Sequence, residues 1–361
     1  MKICILSMQA VDNYGSVLQA YSLKKIVESL GHSVSFIDIK RGEDKHLNTL
    51  CTTNNIVEGH KNTFVERVKG RLIRMQFHKS FEQFRNMYLV GKANIIESKF
   101  DLCIIGSDEV FNCMQRSKWG FDPQLFGNVR CADKVITYAA SCGFTYAAML
   151  PSEVKTAVTS AMSNISAISV RDENTAAFVK ALHGGYVTFN LDPVAVGDLS
   201  EEIKGRNYSW KLPKHYCIVY SYQDRMNEPW LKNCIRSYCD KHNLTPIAPF
   251  GRQSWIKPCK LLSPFELLAA FNHAEAIVTD TFHGTIFGAK FGEKMAVIIR
   301  DSNYNKLFDL VHRLGIENHI IRDGSDLDRV LNQDLDRKYI DNILLQERNA
   351  TLNYLKENFV Y

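Results

Sequence analysis

Five stretches end an apolar run in polar residues of the kinds that bind anions and move protons. IVTDTFHGTIFGA (277–289) passes through Asp280, Thr281, Phe282, His283 and Gly284 before a second apolar run. FDLCIIGSDEVFN (100–112) passes into Gly106, Ser107, Asp108 and Glu109. ISAISVRDENTAAFV (165–179) turns polar at Arg171 and Asp172, and KVITYAASCGF (134–144) runs into Ser141 and Gly143. Near the N-terminus, Asp12-Asn13-Tyr14-Gly15-Ser16 separates a first apolar run from a helical pattern. An imidazole titrates near neutrality and can pass a proton, so His283 is a candidate acid; a packed, hydrogen-bonded histidine is the other reading. A guanidinium offers a two-pronged fork, so Arg171 suits a carboxylate or phosphate, or equally an Arg–Asp pair. Asp108 can orient a histidine, accept a sugar hydroxyl or cap a helix. The turn at Asn13–Gly15 exposes backbone N–H groups that can hold an anion, or is a tight turn capped by Asn13.

The elements that must position these residues are strands and helices in alternation. MKICILSM reads as a strand, SVLQAYSLKKIVESL as a helix with Gly31 after it, and HSVSFIDI as the next strand. This is a βαβ unit without the GxGxxG fingerprint, which argues against a dinucleotide site. The polar, basic stretch 41–98 reads as an inserted helical arm or a long mobile segment. After a polar boundary near 193–214, a second α/β series follows: HYCIVYSY, LTPIAPF, EAIVTD and EKMAVIIR as strands, with helices between them. SPFELLAAFNHA carries Ser263, Pro264 and Glu266 as a capping box, and the helix after EAIVTD is expected to begin near Thr285. Two domains are therefore expected, 1–195 and 210–361, the second with terminal helices. Above roughly 250–300 residues a single core usually splits. Two such halves facing one another would enclose a cleft, the usual place for a ligand.

The composition excludes several classes. The 361 residues are 45% hydrophobic with a net charge of +5. That charge is modest, and without a basic, aromatic-interleaved stripe it does not indicate nucleic acid. No charge-free apolar run of about 18 residues predicts a membrane span. The ten cysteines form no CxxC pair, which argues for a reducing compartment and against structural zinc. No histidine has a zinc-like partner spacing, so no metal is expected; His32, His183 and His273 read as structural. Tyr222, in YSYQ, is a candidate for sugar stacking.

Taken in order, NYGSVLQAYSLKKIVESLGHSVSFID, FDLCIIGSDEVFN, YAASCG, ISAISVRDENTAAFV, LDP and SPFELLAAFNHAEAIVTDTFHGTIFGAKF resemble the polysaccharide pyruvyl transferase family. The resemblance implies an α/β fold similar to the GT-B type, with two facing Rossmann-like domains. It implies transfer of a pyruvyl group from phosphoenolpyruvate to a sugar hydroxyl of a surface or extracellular polysaccharide or its precursor, giving a pyruvate ketal. The family's FHG or LHG histidine corresponds to His283 and its strand-end arginine to Arg171. Where many members carry an arginine, this chain has Thr281; Lys294, Arg300 and Lys306 are candidates to compensate. GSDEVF stands where GSDQ-W is common.

On this reading His283 is the acid and Asp108 takes the acceptor's proton, while Arg171, Asn13, Gly15, Ser141, Thr281 and Gly284 bind substrate. The partners are phosphoenolpyruvate, as donor substrate rather than cofactor, and a free or lipid-linked glycan. The implied place is the cytoplasm, with a peripheral site on the inner face of the membrane left open. Subunit number stays open too. Two other functions remain: a nucleotide-sugar-dependent glycosyltransferase of the GT-B type, and a catalytically silent glycan-binding protein on the same fold.

Overall fold

The computed structural model describes residues 1–39, 45–51, 64–89, 99–114, 121–205 and 211–359. The chain divides into two compact units, Met1–Pro193 with Ala350–Tyr361, and Val194–Asn349. The first holds six strands: β1 (Lys2–Leu6), β2 (Ser33–Phe36), β3 (Phe100–Asp108), β4 (Ala132–Ala140), β5 (Ser169–Val170) and β6 (Thr188–Phe189). They form one sheet in the order β2-β1-β3-β4-β5-β6, with every pair parallel. Ile3, Cys4, Ile5 and Leu6 of β1 and Leu102–Ile105 of β3 are all fully buried. Burial on both faces explains why these strands read as continuous apolar runs rather than alternating ones.

The second unit has β7 (Tyr216–Tyr220), β8 (Thr245–Ile247), β9 (Ala276–Thr279) and β10 (Met295–Val297). Their order is β10-β9-β7-β8, again all parallel. Each sheet therefore has a switch point, where successive crossovers leave in opposite directions. In the first unit it lies between β1 and β3, and in the second between β7 and β9. In open α/β sheets, ligands collect beyond the carboxyl ends of the strands at such points.

Local chemistry sets the helix boundaries. Asn13 caps the helix Tyr14–Ser29, and Gly31, at φ +86°, follows its end. Ser263 and Glu266 complete the expected capping box on Pro264–Asn272. In the 41–98 region the described residues form helices Lys45–Cys51 and Phe64–Phe84 and one π-helical turn, Arg85–Leu89. Residues 40–44, 52–63 and 90–98 lie outside the described set. Phe81, Phe84 and Leu89 are buried, so this arm is tied to the unit by its own apolar residues.

One assignment differs from the sequence reading. The terminal helix Arg337–Asn358 was expected to belong wholly to the second half, yet residues from Ala350 onward are part of the first unit. Hydrogen bonds explain this: Thr351 Oγ1 lies 2.9 Å from the Tyr138 hydroxyl, Tyr354 donates to the Thr137 carbonyl at 2.7 Å, and Lys134 Nζ donates to the Asn358 carbonyl at 2.9 Å.

Candidate active site

At the first unit's switch point, Asn13 Oδ1 accepts the Gly15 N–H at 2.8 Å. The next residue, Ser16, donates its hydroxyl to Asp108 Oδ2 at 2.8 Å. The capped turn after β1 and the carboxylate ending β3 are thus joined by one hydrogen bond. Asp108 holds φ +77°, a left-handed conformation uncommon outside glycine and asparagine. Beside it, Gly106 at φ +124° cannot carry a side chain, since a Cβ there would stand 2.2 Å from the Tyr138 carbonyl oxygen. Glu109 accepts from Asn112 Nδ2 at 2.6 Å.

Ser141 is fully buried; its hydroxyl donates to Asp172 Oδ2 at 2.7 Å and accepts the Gly143 N–H at 3.1 Å. Asp172 in turn caps the helix Glu173–Leu182, taking the Thr175 N–H at 2.8 Å. Arg171 is 2% exposed and pairs with fully buried Asp192, Nη1 to Oδ2 at 3.1 Å. Ser107 donates to the same oxygen at 3.3 Å. Burial pushes the Arg171 pKa down, but Asp192 foremost, then Asp108, Asp172 and Glu109, hold it above the ordinary arginine value. Of the two roles open to Arg171, this geometry is that of an internal Arg–Asp pair.

The second unit's switch point carries the histidine. Thr281 caps the helix Phe282–Phe291, its hydroxyl accepting the Gly284 N–H at 3.0 Å. The helix therefore begins at Phe282 and not near Thr285, which places His283 inside the first turn. The Thr285 hydroxyl instead donates back to the Thr281 carbonyl at 3.0 Å. Thr279 Oγ1 donates to the Tyr220 carbonyl at 2.7 Å and accepts the Thr281 N–H at 3.2 Å, tying β9 to β7. A Cβ on Gly284 would meet Thr279 Oγ1 at 2.2 Å and Thr281 Oγ1 at 2.6 Å. The half-buried imidazole of His283 is edge-on to the Phe282 ring at 5.5 Å and tilted against that of Phe287 at 6.1 Å between centroids.

Sequence reasoning missed an ionic network beside this turn. Fully buried Asp280 accepts from Arg300 Nε at 2.5 Å and lies 3.2 Å from Arg225 Nε. Arg300 also bonds Glu228 and the Arg225 carbonyl, and Asn303 Nδ2 donates to the Asp280 carbonyl at 2.6 Å. Burial alone would raise the Glu228 pKa, but Arg300, a backbone hydrogen bond and Arg225 together hold the carboxyl below its usual value. The signal lay in the polar loop QDRMNE after β7, which supplies both Arg225 and Glu228. Of the three cations considered for compensation, Arg300 lies at the carboxyl end of β10. Lys294 precedes β10 at the other end and reaches Asp334 at 3.9 Å, so it is not placed with His283. Lys306 sits in the helix Tyr304–Arg313. Tyr222 is half-exposed, edge-on to Phe250 at 5.4 Å, with the Arg225 guanidinium 5.7 Å from its ring.

These features define an α/β protein of two Rossmann-like units, each presenting polar groups at a parallel-sheet switch point. UDP-GlcNAc 2-epimerase from Methanocaldococcus jannaschii has a similar fold, with TM-score 0.55 and 13% identity over 100% of both chains. The same enzyme in complex with UDP-GlcNAc and UDP matches with TM-score 0.50 and 11% identity, covering 99% of this chain and 100% of that one. Identities this low show the fold alone, one similar to the GT-B type. No curated protein sequence matches significantly. The model of the family Polysaccharide pyruvyl transferase matches residues 13–302, which includes Asp108, Arg171 and His283, and the chain belongs to that family. It is accordingly a pyruvyltransferase of polysaccharide biosynthesis. Among the described residues no helix is long and apolar enough to cross a membrane.

Proposed function

We propose that the protein transfers the pyruvyl group of phosphoenolpyruvate to two hydroxyls of one sugar residue, releasing phosphate and leaving a cyclic ketal. The observation that carries this reading is His283 in the first turn of a capped ten-residue helix at the β7/β9 switch point. A helix N-terminus favours an anion such as the donor's phosphate or carboxylate. His283 then gives its proton to the methylene carbon of the donor, making a methyl group and an electrophilic central carbon. The first sugar hydroxyl adds to that carbon, and its proton leaves with the phosphate as the C–O bond to phosphate breaks. The second hydroxyl closes the ring and its proton returns His283 to the charged form. Atoms balance: one diol and one phosphoenolpyruvate give one ketal and one phosphate.

Fixed hydrogen-bonding groups suit such a reaction because they need no reorganisation as charge develops. The His283 turn is held by Thr281 and Thr279. We place the reaction in the cytoplasm, a reading supported by ten free cysteines. The test is phosphate release from phosphoenolpyruvate with a panel of free and lipid-linked glycans, with mass spectrometry of the acceptor. A glycan gaining the mass of a pyruvate ketal is the expected product. Transfer of a sugar from a nucleotide sugar, with phosphoenolpyruvate inert, would refute the reading.

A further inference from the structure

The loop after β4 exposes three large apolar side chains in six residues: Phe144 at 47%, Tyr146 at 49% and Met149 at 45%. Scattered apolar residues on a surface are ordinary; a cluster on one short loop is not. This loop is also rigid. Thr145, between the two rings, is fully buried, and its hydroxyl donates to Asn112 Oδ1 at 2.7 Å. Asn174 Nδ2 donates to the Gly143 carbonyl at 3.0 Å and to the Thr145 carbonyl at 3.2 Å. Gly143, at φ +59°, is pressed against the neighbouring polar pair: a Cβ there would stand 2.6 Å from Asn112 Nδ2 and 2.7 Å from Glu109 Oε2. The Met149 N–H donates to the Tyr146 carbonyl at 2.9 Å. Polar anchors on either side thus hold Phe144 and Tyr146 out in water, where collapse onto the core would have buried apolar surface.

We propose that this loop is a subsite for the acceptor sugar, with Phe144 and Tyr146 as the platform and Glu109, held from beneath by buried Asn112, as its polar edge. The polarised C–H bonds on one face of a pyranose suit the negative face of an aromatic ring. A carboxylate beside the ring suits its hydroxyls. Rigid aromatic side chains bind with little further loss of freedom, which favours a pre-set platform over a mobile one. Continuity supports the same occupant: the loop starts at Ser141, and Glu109 directly follows Asp108. The inference rests on the reading that the acceptor is a glycan.

Two measurements on the full chain test it. With phosphoenolpyruvate saturating, Phe144→Ala and Tyr146→Ala should each raise the acceptor KM roughly tenfold. Phe144→Trp should restore it, and the melting temperature should stay at the wild-type value. An unchanged acceptor KM in both alanine variants overturns the platform. The second measurement needs no turnover: saturation-transfer NMR with methyl hexopyranosides bearing free 4- and 6-hydroxyls. Signal with wild type that is lost in Phe144→Ala supports the subsite even if no pyruvyl transfer occurs. No signal with wild type, or equal signal in the variant, overturns it. So does flotation of wild type, but not Phe144→Ala, with phosphatidylglycerol vesicles while the glycoside signal is unchanged, which would assign the loop to lipid.

Discussion

Arg171 and Asp192 form an ion pair inside the first unit, Nη1 to Oδ2 at 3.1 Å, with 2% and 0% of their side chains exposed. Removing one partner of such a pair strands the other charge in a poorly solvated place. Arg171→Ala should therefore cost roughly 3–5 kcal/mol of unfolding free energy. Arg171→Lys should cost less, because the charge is kept, but not nothing, because the fork is lost. Replacing both residues by apolar ones of similar volume should recover much of the loss. Urea unfolding midpoints measure this. An unchanged midpoint in Arg171→Lys, with phosphoenolpyruvate affinity down tenfold by calorimetry, would instead make Arg171 an anion clamp.

Glu266 gives the second unit an acid-sensitive joint. Its carboxylate takes the Ser263 N–H at 2.7 Å and Lys211 Nζ at 2.6 Å. Burial raises its pKa, but Lys211 and Ser263 outweigh burial, and the net position is below the usual glutamate value. A depressed folded pKa adds stability that is complete above the unfolded value and is lost as pH falls through the folded one. Glu266→Gln should thus be about 1–2 kcal/mol less stable than wild type at pH 7. The gap should narrow as pH drops below about 4. Unfolding midpoints between pH 7 and pH 3 would show it; a gap constant with pH would contradict the assignment.

Gly284 sits where a methyl group has no room. In Gly284→Ala the new carbon must displace Thr279 Oγ1, which itself holds the Tyr220 carbonyl. Overpacking of this kind costs roughly 1–3 kcal/mol. The shift should also rotate the helix start, so turnover per folded molecule should fall while Thr281→Ser, which keeps the capping hydroxyl, stays near wild type. Calorimetry alongside phosphate release separates the two effects. Full activity and wild-type melting in Gly284→Ala would show that the turn relaxes freely.

Much of this architecture was legible because buried parallel strands leave unbroken apolar runs, as in KICIL and DLCII, and each run stops at its polar strand end. Asp108, Ser141, Arg171 and His283 were placed at strand ends in that way. The start of the His283 helix was harder, since Thr281 and Thr285 can each cap; the choice was made by the hydroxyl that reaches the Gly284 N–H. The Asp280 network was hidden because Arg225, Glu228 and Arg300 come from the ends of β7 and β10, far apart in the chain. Ala350–Asn358 could not be placed from periodicity, because its partners Thr137 and Tyr138 are identified only by folding.

His283 provides the sharpest test of the chemistry. If it supplies the proton to the donor's methylene carbon, His283→Asn should keep the fold and cut turnover by roughly 10²–10⁴-fold. The residue lies in the first turn with Thr281 as cap, so the substitution leaves the capping hydrogen bond in place. The ring contacts with Phe282 and Phe287 would be lost, which predicts only a modest fall in melting temperature. His283→Gln should retain hydrogen bonding to an anion but not proton transfer. A purely anion-binding histidine would behave differently: the phosphoenolpyruvate Kd would rise in both variants while the pH dependence of turnover survived. A packing histidine would lower the melting temperature and leave turnover per folded molecule nearly unchanged. Single-turnover rate against pH, with folded fraction checked by calorimetry, distinguishes the three. The basic limb of the profile should disappear in His283→Asn, because the group whose deprotonation ends catalysis in the wild type has been removed.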